Sequence, residues 1–244
     1  MTTLFIADLH LQAGRPDVTQ AFFEYLDVHA QKATALYILG DLFEHWIGDD
    51  GMGPFEHQVA EALSRYAHQG RSVYVMPGNR DFLLGKAFAA RAHLTLLDDP
   101  TLITLGDQRV LLMHGDSMCT EDQAYMHFRA QVRSHAWQQQ VLTMPLDQRV
   151  ALAAQLRAQS GEANATKSET IMDVTPDAVI AEMQKADVDV MIHGHTHRPN
   201  THRVDLGHGH SGRRLVLGDW CYRTRSMWEA AFENGALCLA PYQW

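Results

Sequence analysis

Seven residues with metal-binding side chains, Asp8, His10, Asp41, Asn79, His114, His195 and His197, stand just beyond short apolar runs. Asp supplies anionic oxygens and can bridge two cations, Asn supplies a neutral carbonyl oxygen, and His supplies a nitrogen of intermediate softness. A mixed nitrogen and oxygen set without thiolate suits Mn²⁺, Fe²⁺ or Zn²⁺. It argues against a structural zinc cage, which would recruit Cys. Two such ions about 3.5–4 Å apart lower the pKa of a shared water and clamp a phosphoryl oxygen for in-line attack. The chemistry indicated is hydrolysis of a phosphate ester or anhydride.

Five runs must position these ligands: Leu4 to Ala7, Leu36 to Leu39, Val73 to Met76, Val110 to Met113 and Val188 to Ile192. Each has the length of a buried strand and hands over to a loop rich in Gly, Asp or His. In an α/β sheet, loops at the carboxyl ends of strands converge on one crevice, so ligands distant in sequence meet there. Asp17 to Lys32, with Val18, Phe22, Tyr25 and Leu26, and Pro54 to His68, with Val59, Leu63 and Tyr66, read as helices covering the sheet. Beyond His197 the pattern turns to short β-like runs over Thr201 to Leu206, Arg214 to Leu217 and Trp228 to Phe232, with a hairpin loop from Gly207 to Gly212. The expectation is an α/β fold, a two-sheet sandwich flanked by helices.

The motifs resemble those of the calcineurin-like metallophosphoesterase superfamily. Its five blocks are matched in order by Asp8-Leu9-His10, Gly40-Asp41, Gly78-Asn79-Arg80-Asp81, His114-Gly115-Asp116 and Gly194-His195-Thr196-His197. The resemblance implies one ion held by Asp8, His10, Asp41 and His197 and a second held by Asp41, Asn79, His114 and His195, with Asp41 as the bridge.

The third block departs from the common pattern, since Arg80 stands where a His is usual. A His there can protonate a poor leaving group; Arg, always charged, instead offers a forked donor suited to phosphate. A pyrophosphate bond suits that exchange, because its leaving group needs little protonation. The plainer alternative is an Arg80–Asp81 ion pair. With Gly40 to Asp50, Ile171 to Val174 and Leu217 to Trp220, Arg80 narrows the resemblance to the branch that hydrolyses UDP-2,3-diacylglucosamine in lipid A biosynthesis. That resemblance implies two Mn²⁺ ions and water directed at the uridine-side phosphorus, giving UMP and 2,3-diacylglucosamine 1-phosphate. It implies Asp41, Asn79 and Arg80 as catalytic residues, and substrate contacts from Asn79, Arg80, Asp122, Ser160, Asn164, Lys167 and His195. From composition alone, Ser160 to Ser168 reads as a polar helix-ending loop. Other metal-dependent nucleotide-sugar pyrophosphatases or phosphodiesterases, and a non-catalytic scaffold, are the rival readings.

Residues 120–172 break the β-loop-α alternation. Tyr125, Phe128, Val132 and Ala136, then Leu146, Val150, Ala153 and Leu156, predict an inserted helical pair within one domain spanning residues 1–244. It is either a hairpin sealed on the core or a lid gripping acyl chains. Its Arg129, Arg133, Arg149 and Arg157 suit either an anionic membrane surface or two solvated helix faces.

The chain has 244 residues, 46% hydrophobic, enough for a large single core, and a net charge of −9 that argues against nucleic-acid binding. Cys119, Cys221 and Cys238 show no paired spacing, which favours a reduced compartment. With neither a signal core nor about eighteen uninterrupted apolar residues, a cytoplasmic protein is expected, soluble or peripheral on the inner membrane. No obligate protein partner is implied. Among the fifteen His, His29, His57, His68, His93, His127, His135, His202, His208 and His210 read as bystanders, and His193 as support for the site. Asp49, Asp50, Asp98 and Asp99 read as loop carboxylates.

Overall fold

The computed structural model describes residues 1–165 and 171–244, without the side chains of 159–165. The chain order is β1 (Thr3–Ile6), α1 (Pro16–Asp27), β2 (Ala35–Leu39), α2 (Pro54–Ala67), β3 (Ser72–Met76), α3 (Lys86–Ala92), β4 (Thr95–Leu96), β5 (Thr101–Leu105) and β6 (Gln108–Met113). It continues with α4 (Gln123–Val132), α5 (His135–Leu142), α6 (Leu146–Ala165), α7 (Pro176–Ala186), β7 (Val190–His193), β8 (Asn200–Gly207), β9 (His210–Val216), β10 (Ser226–Glu233) and β11 (Ala236–Gln243).

Two sheets result, one ordered β11-β10-β1-β2-β3-β4 and the other β5-β6-β7-β9-β8. Strands β1, β2 and β3 run parallel, as do β6 and β7. In register, Ile6 faces Ile38, Leu39 faces Met76, and Met113 faces His193, so the strands end level before their ligand-bearing loops. These strands are covered on both faces and therefore read as continuous apolar runs. Side chains alternate between layers. Leu4, Ile6, Leu36 and Ile38 pack with α1, α2 and α3, whereas Phe5, Ala7, Leu39, Val110, Leu112, Val190 and Ile192 fill the space between the sheets. On the far side, Leu111, Met113 and Met191 pack with Val179 and Met183 of α7. The sheets thus divide the apolar interior into three clusters instead of one core.

Three local expectations are corrected. The first helix ends at Asp27, and His29–Lys32 forms a separate 3₁₀ turn. The polar loop is shorter than predicted, because β8 and β9 run to Gly207 and from His210. Only His208 and Gly209 turn the chain, with φ of +53° and +78°, the signs a type I′ hairpin needs. Among its described residues the insert has three helices, since Ser134 accepts a hydrogen bond from Trp137 N (3.3 Å) and starts α5 anew. That cap separates Ala136 from the stripe carrying Tyr125, Phe128 and Val132.

Candidate metal centre and substrate cavity

All seven predicted ligands meet at the carboxyl ends of β1, β2, β3, β6 and β7. Five of them occupy left-handed backbone: Asp8 (φ +55°), His10 (+51°), Asp41 (+53°), His195 (+67°) and His197 (+55°). Such conformations cost roughly 1–3 kcal/mol each and persist where surrounding structure imposes them. The lacing is visible: Asp8 N donates to Gly40 O (3.1 Å), His10 N to Asp41 O (2.9 Å), and Gly194 N to His114 O (2.9 Å). Motif glycines permit this approach. A Cβ on Gly40 would lie 2.0 Å from His114 Nδ1, and one on Gly78 would lie 2.2 Å from Asp41 Oδ1.

The donors form two groups. Single ligand atoms of Asp8, His10 and His197 lie within 4.8 Å of one another, as do those of Asp8, Asp41 and His114. Asp41 reaches both sides, with Oδ2 3.8 Å from His10 Nε2 and Oδ1 3.8 Å from His114 Nε2. Asn79 Oδ1 lies 2.9 Å from both His114 Nε2 and His195 Nδ1.

This donor set fits cations. Asp8 is fully buried, yet its Oδ1 has no hydrogen-bond partner. Leu39 O accepts from His114 Nδ1 (2.9 Å), leaving the Nε2 lone pair of a neutral ring aimed at the Asn79 oxygen. His10 Nε2 and His197 Nε2 face each other at 3.3 Å. Lone pairs opposed in this way need a proton or a metal ion between them. Burial disfavours charge on His114 and His197, but nearby carboxylates, Asp41 and Asp8 foremost, raise each pKa to about 9. His195 is lowered to about 4 by burial and then by His114.

The third block resolves the question of Arg80. Asp81 turns into the protein, fully buried, and accepts from Gly78 N (2.7 Å) and Phe43 N (3.1 Å), so it does not pair with Arg80. Burial and the neighbouring Asp41 raise Asp81 to about 6. Arg80 N donates to Asp41 Oδ1 (2.8 Å), while its side chain lines a cavity of about 370 Å³. Trp46, Phe82, Phe128, Trp137, Leu152 and Leu156 are among the apolar residues of its wall. Of the described side chains in α4, α5 and α6, only Val132, Val141 and Arg149 are buried, and Val141 joins the core cluster with Trp137, Met144 and Leu152 packed against it.

Each of the four insert arginines pairs with a core group, and Arg157 stays 48% exposed. Arg129 donates to Asp116 (2.8 Å), Arg133 to Gly78 O (2.9 Å), Arg149 to Ile47 O (2.7 Å) and to both Asp50 oxygens, and Arg157 pairs with Glu44 (2.6 Å).

Several supporting residues escaped sequence reasoning. Glu44 contacts His10 Nδ1 (3.2 Å), and its carboxyl lies below the usual range because His10 and two arginines outweigh burial. Asp116, fully buried, also accepts from Tyr125 OH (2.7 Å), and His114, Arg129 and Arg133 outweigh burial to lower its pKa. Asp49 is more than a loop carboxylate, since it accepts from Trp46 Nε1, Gly85 N, Ala87 N and Phe88 N and caps α3. Their signal was distance in sequence, which spacing rules do not capture. His193 is buried beneath the site, with Nδ1 2.9 Å from Gly194 O, and burial keeps it neutral. Asp122 caps α4 through Tyr125 N (3.0 Å). Ser160, Asn164 and Lys167 lie outside the described side chains.

The model of the calcineurin-like phosphoesterase family matches residues 1–199. A UDP-2,3-diacylglucosamine hydrolase of Chromohalobacter salexigens is 54% identical, over 97% of this chain and 95% of that protein. Proteins of the same name from Cellvibrio japonicus and Pseudomonas paraeruginosa are 52% and 48% identical, covering 90% and 99% of this chain and 91% and 99% of theirs.

Proposed function

This chain belongs to the calcineurin-like phosphoesterase family, and on that premise we propose that it hydrolyses the pyrophosphate bond of UDP-2,3-diacylglucosamine. The products are UMP and 2,3-diacylglucosamine 1-phosphate, and water attacks the uridine-side phosphorus. The observation that carries this reading is the apolar cavity that opens beside Asn79 and Arg80. A diphosphate at the metal centre places its lipid half there, and each CH₂ removed from water contributes about 0.8 kcal/mol.

Asp8, His10, Asp41 and His197 would hold one Mn²⁺, and Asp41, Asn79, His114 and His195 the other. When bound, such a pair supplies a water of lowered pKa and a clamp for phosphoryl oxygens. The chain's own residues do the rest. Arg80, which lines the cavity and has its backbone tied to Asp41, neutralises charge on the diphosphate as the bond breaks. Asn79 and His195 meet the same phosphate, and Asp122, Ser160, Asn164 and Lys167 contact the sugar, amide or phosphate groups of the lipid half. Residues 120–172 act as the lid of a single domain. No helix among the described residues is long and apolar enough to cross a membrane; the enzyme meets its lipid substrate by peripheral contact at the cytoplasmic face of the inner membrane.

The test is hydrolysis of UDP-2,3-diacylglucosamine in ¹⁸O-labelled water, alongside UDP-glucosamine without acyl chains. Label is expected in UMP alone, with little turnover of the chain-free sugar. Label in the lipid phosphate, or equal turnover of both substrates, would overturn the assignment.

A further inference from the structure

Glu44 stands where the metal centre meets the insert. Its Oε2 lies 3.2 Å from His10 Nδ1, and its Oε1 lies 2.6 Å from an Arg157 amino group on α6. We propose that Glu44 is a positioning residue that couples the seating of the inserted helices to the metal site of His10, one carboxylate oxygen holding the ligand and the other holding the insert. The inference rests on the metal centre proposed above.

The geometry gives each contact a defined task. With Nδ1 3.2 Å from the Glu44 carboxylate, the His10 ring presents Nε2 3.3 Å from His197 Nε2 and 3.8 Å from Asp41 Oδ2, facing the other donors of that site. A carboxylate behind a ligating imidazole fixes its tautomer and orientation and raises its basicity. The backbone here is held without the Glu44 side chain: Leu11 N donates to Leu42 O (2.9 Å) and Glu44 N to Leu11 O (3.1 Å). Removing the carboxylate therefore releases the His10 ring and leaves both loops laced. The helix is likewise anchored elsewhere, because Arg149 grips Asp50 and Ile47 O of the core. Losing Arg157 frees Glu44 without freeing α6. Glu44 is 12% exposed and Arg157 48%, so the link is half-open to solvent and its coupling belongs at the modest end.

Coupling of this kind is reciprocal: whatever Arg157 adds to metal affinity, the metal adds to the seating of α6. The experiment titrates Mn²⁺ into the metal-stripped full-length protein by calorimetry and follows amide exchange along Leu146 to Arg157. Glu44→Ala should weaken Mn²⁺ binding about 10–100-fold, the usual effect of removing such a partner. Glu44→Gln should lose less, since its amide oxygen still accepts from His10. Arg157→Ala should weaken binding about fivefold, the low end of measured couplings, and Arg157→Lys should recover most of it. In a Glu44→Ala background Arg157→Ala should have no further effect. Mn²⁺ should slow exchange along α6 in the wild type and fail to do so in Arg157→Ala. Unchanged Mn²⁺ affinity in Arg157→Ala, or losses that multiply in the double variant, would overturn the coupling and leave the metal centre standing. A wild type that binds no Mn²⁺ would remove both.

Discussion

The metal centre and the inserted helices are built on opposite terms. At the centre, predicted ligands from five strands converge, five of the seven on left-handed backbone, laced by main-chain hydrogen bonds and packed so closely that a single added Cβ would collide with one of them. The insert buries few of its described side chains, rests Val141, Trp137 and Leu152 on the core, and is tied by four arginines to three core loops. The first geometry is over-determined, and no one contact defines it. The second rests on separable contacts. Chemistry and substrate recognition should therefore come apart under mutation.

The largest effect tests the centre. Asp41→Ala removes the proposed bridge and should lower turnover of any phosphodiester by more than the ~100-fold typical of outer-shell partners, with loss of bound metal measured by elemental analysis. Retained activity and metal content would mean that Asp41 joins nothing. His208→Ala, in the distant hairpin turn, should leave both unchanged.

Next comes the insert. Replacing residues 120–172 with a Gly/Ser linker should abolish hydrolysis of the lipid substrate while a small activated phosphodiester is still cleaved, provided circular dichroism shows an intact fold and metal remains bound. Equal loss on both substrates would merge the two regions into one. Between these lies Arg80, which belongs to a metal loop but faces the cavity. Arg80→Ala should slow turnover about 10²–10³-fold with metal content unchanged, as expected for loss of a charge-stabilising donor, and Arg80→His should not restore it.

The smallest effect concerns a single tether. Asp50→Ala leaves the Arg149 fork, 3% exposed, with only its carbonyl partners. Because Asp50 is itself 60% exposed, solvent screens the pair. The cost should be about 1 kcal/mol, read as a fall of about 2–4 °C in melting temperature. No change would mean that the insert is seated by the other arginines alone.

The same contrast decides what could be read from the sequence. Ligand loops were legible because each follows an apolar run long enough to be a strand, and because Asp, Asn and His beside Gly at strand ends carry a chemical meaning. The insert was legible as helical, but the break at Ser134 was not. A hydroxyl cap inside an apolar stripe does not register as a change of period. Arg129, Arg133, Arg149 and Arg157 looked like surface charge, since each partner lies well away in sequence: Asp116, Gly78, Asp50 and Glu44. Asp49 was misread for the same reason, as the amides it caps begin at Gly85. Local pattern marks the atoms that do chemistry; long-range closure determines what holds them.

The position of β1 has a consequence for how the molecule comes into being. This strand, with the first predicted ligands beside it, is made long before β10, yet it lies between β2 and β10, and β10 spans Ser226–Glu233. Throughout elongation its Leu4 and Phe5 edge waits for Ala231 and Ala230, which leave the ribosome only after every ligand has emerged. An open edge of that kind is prone to mispairing with other strands. The nascent chain thus carries all seven predicted ligands before β10 can close the sheet beside β1.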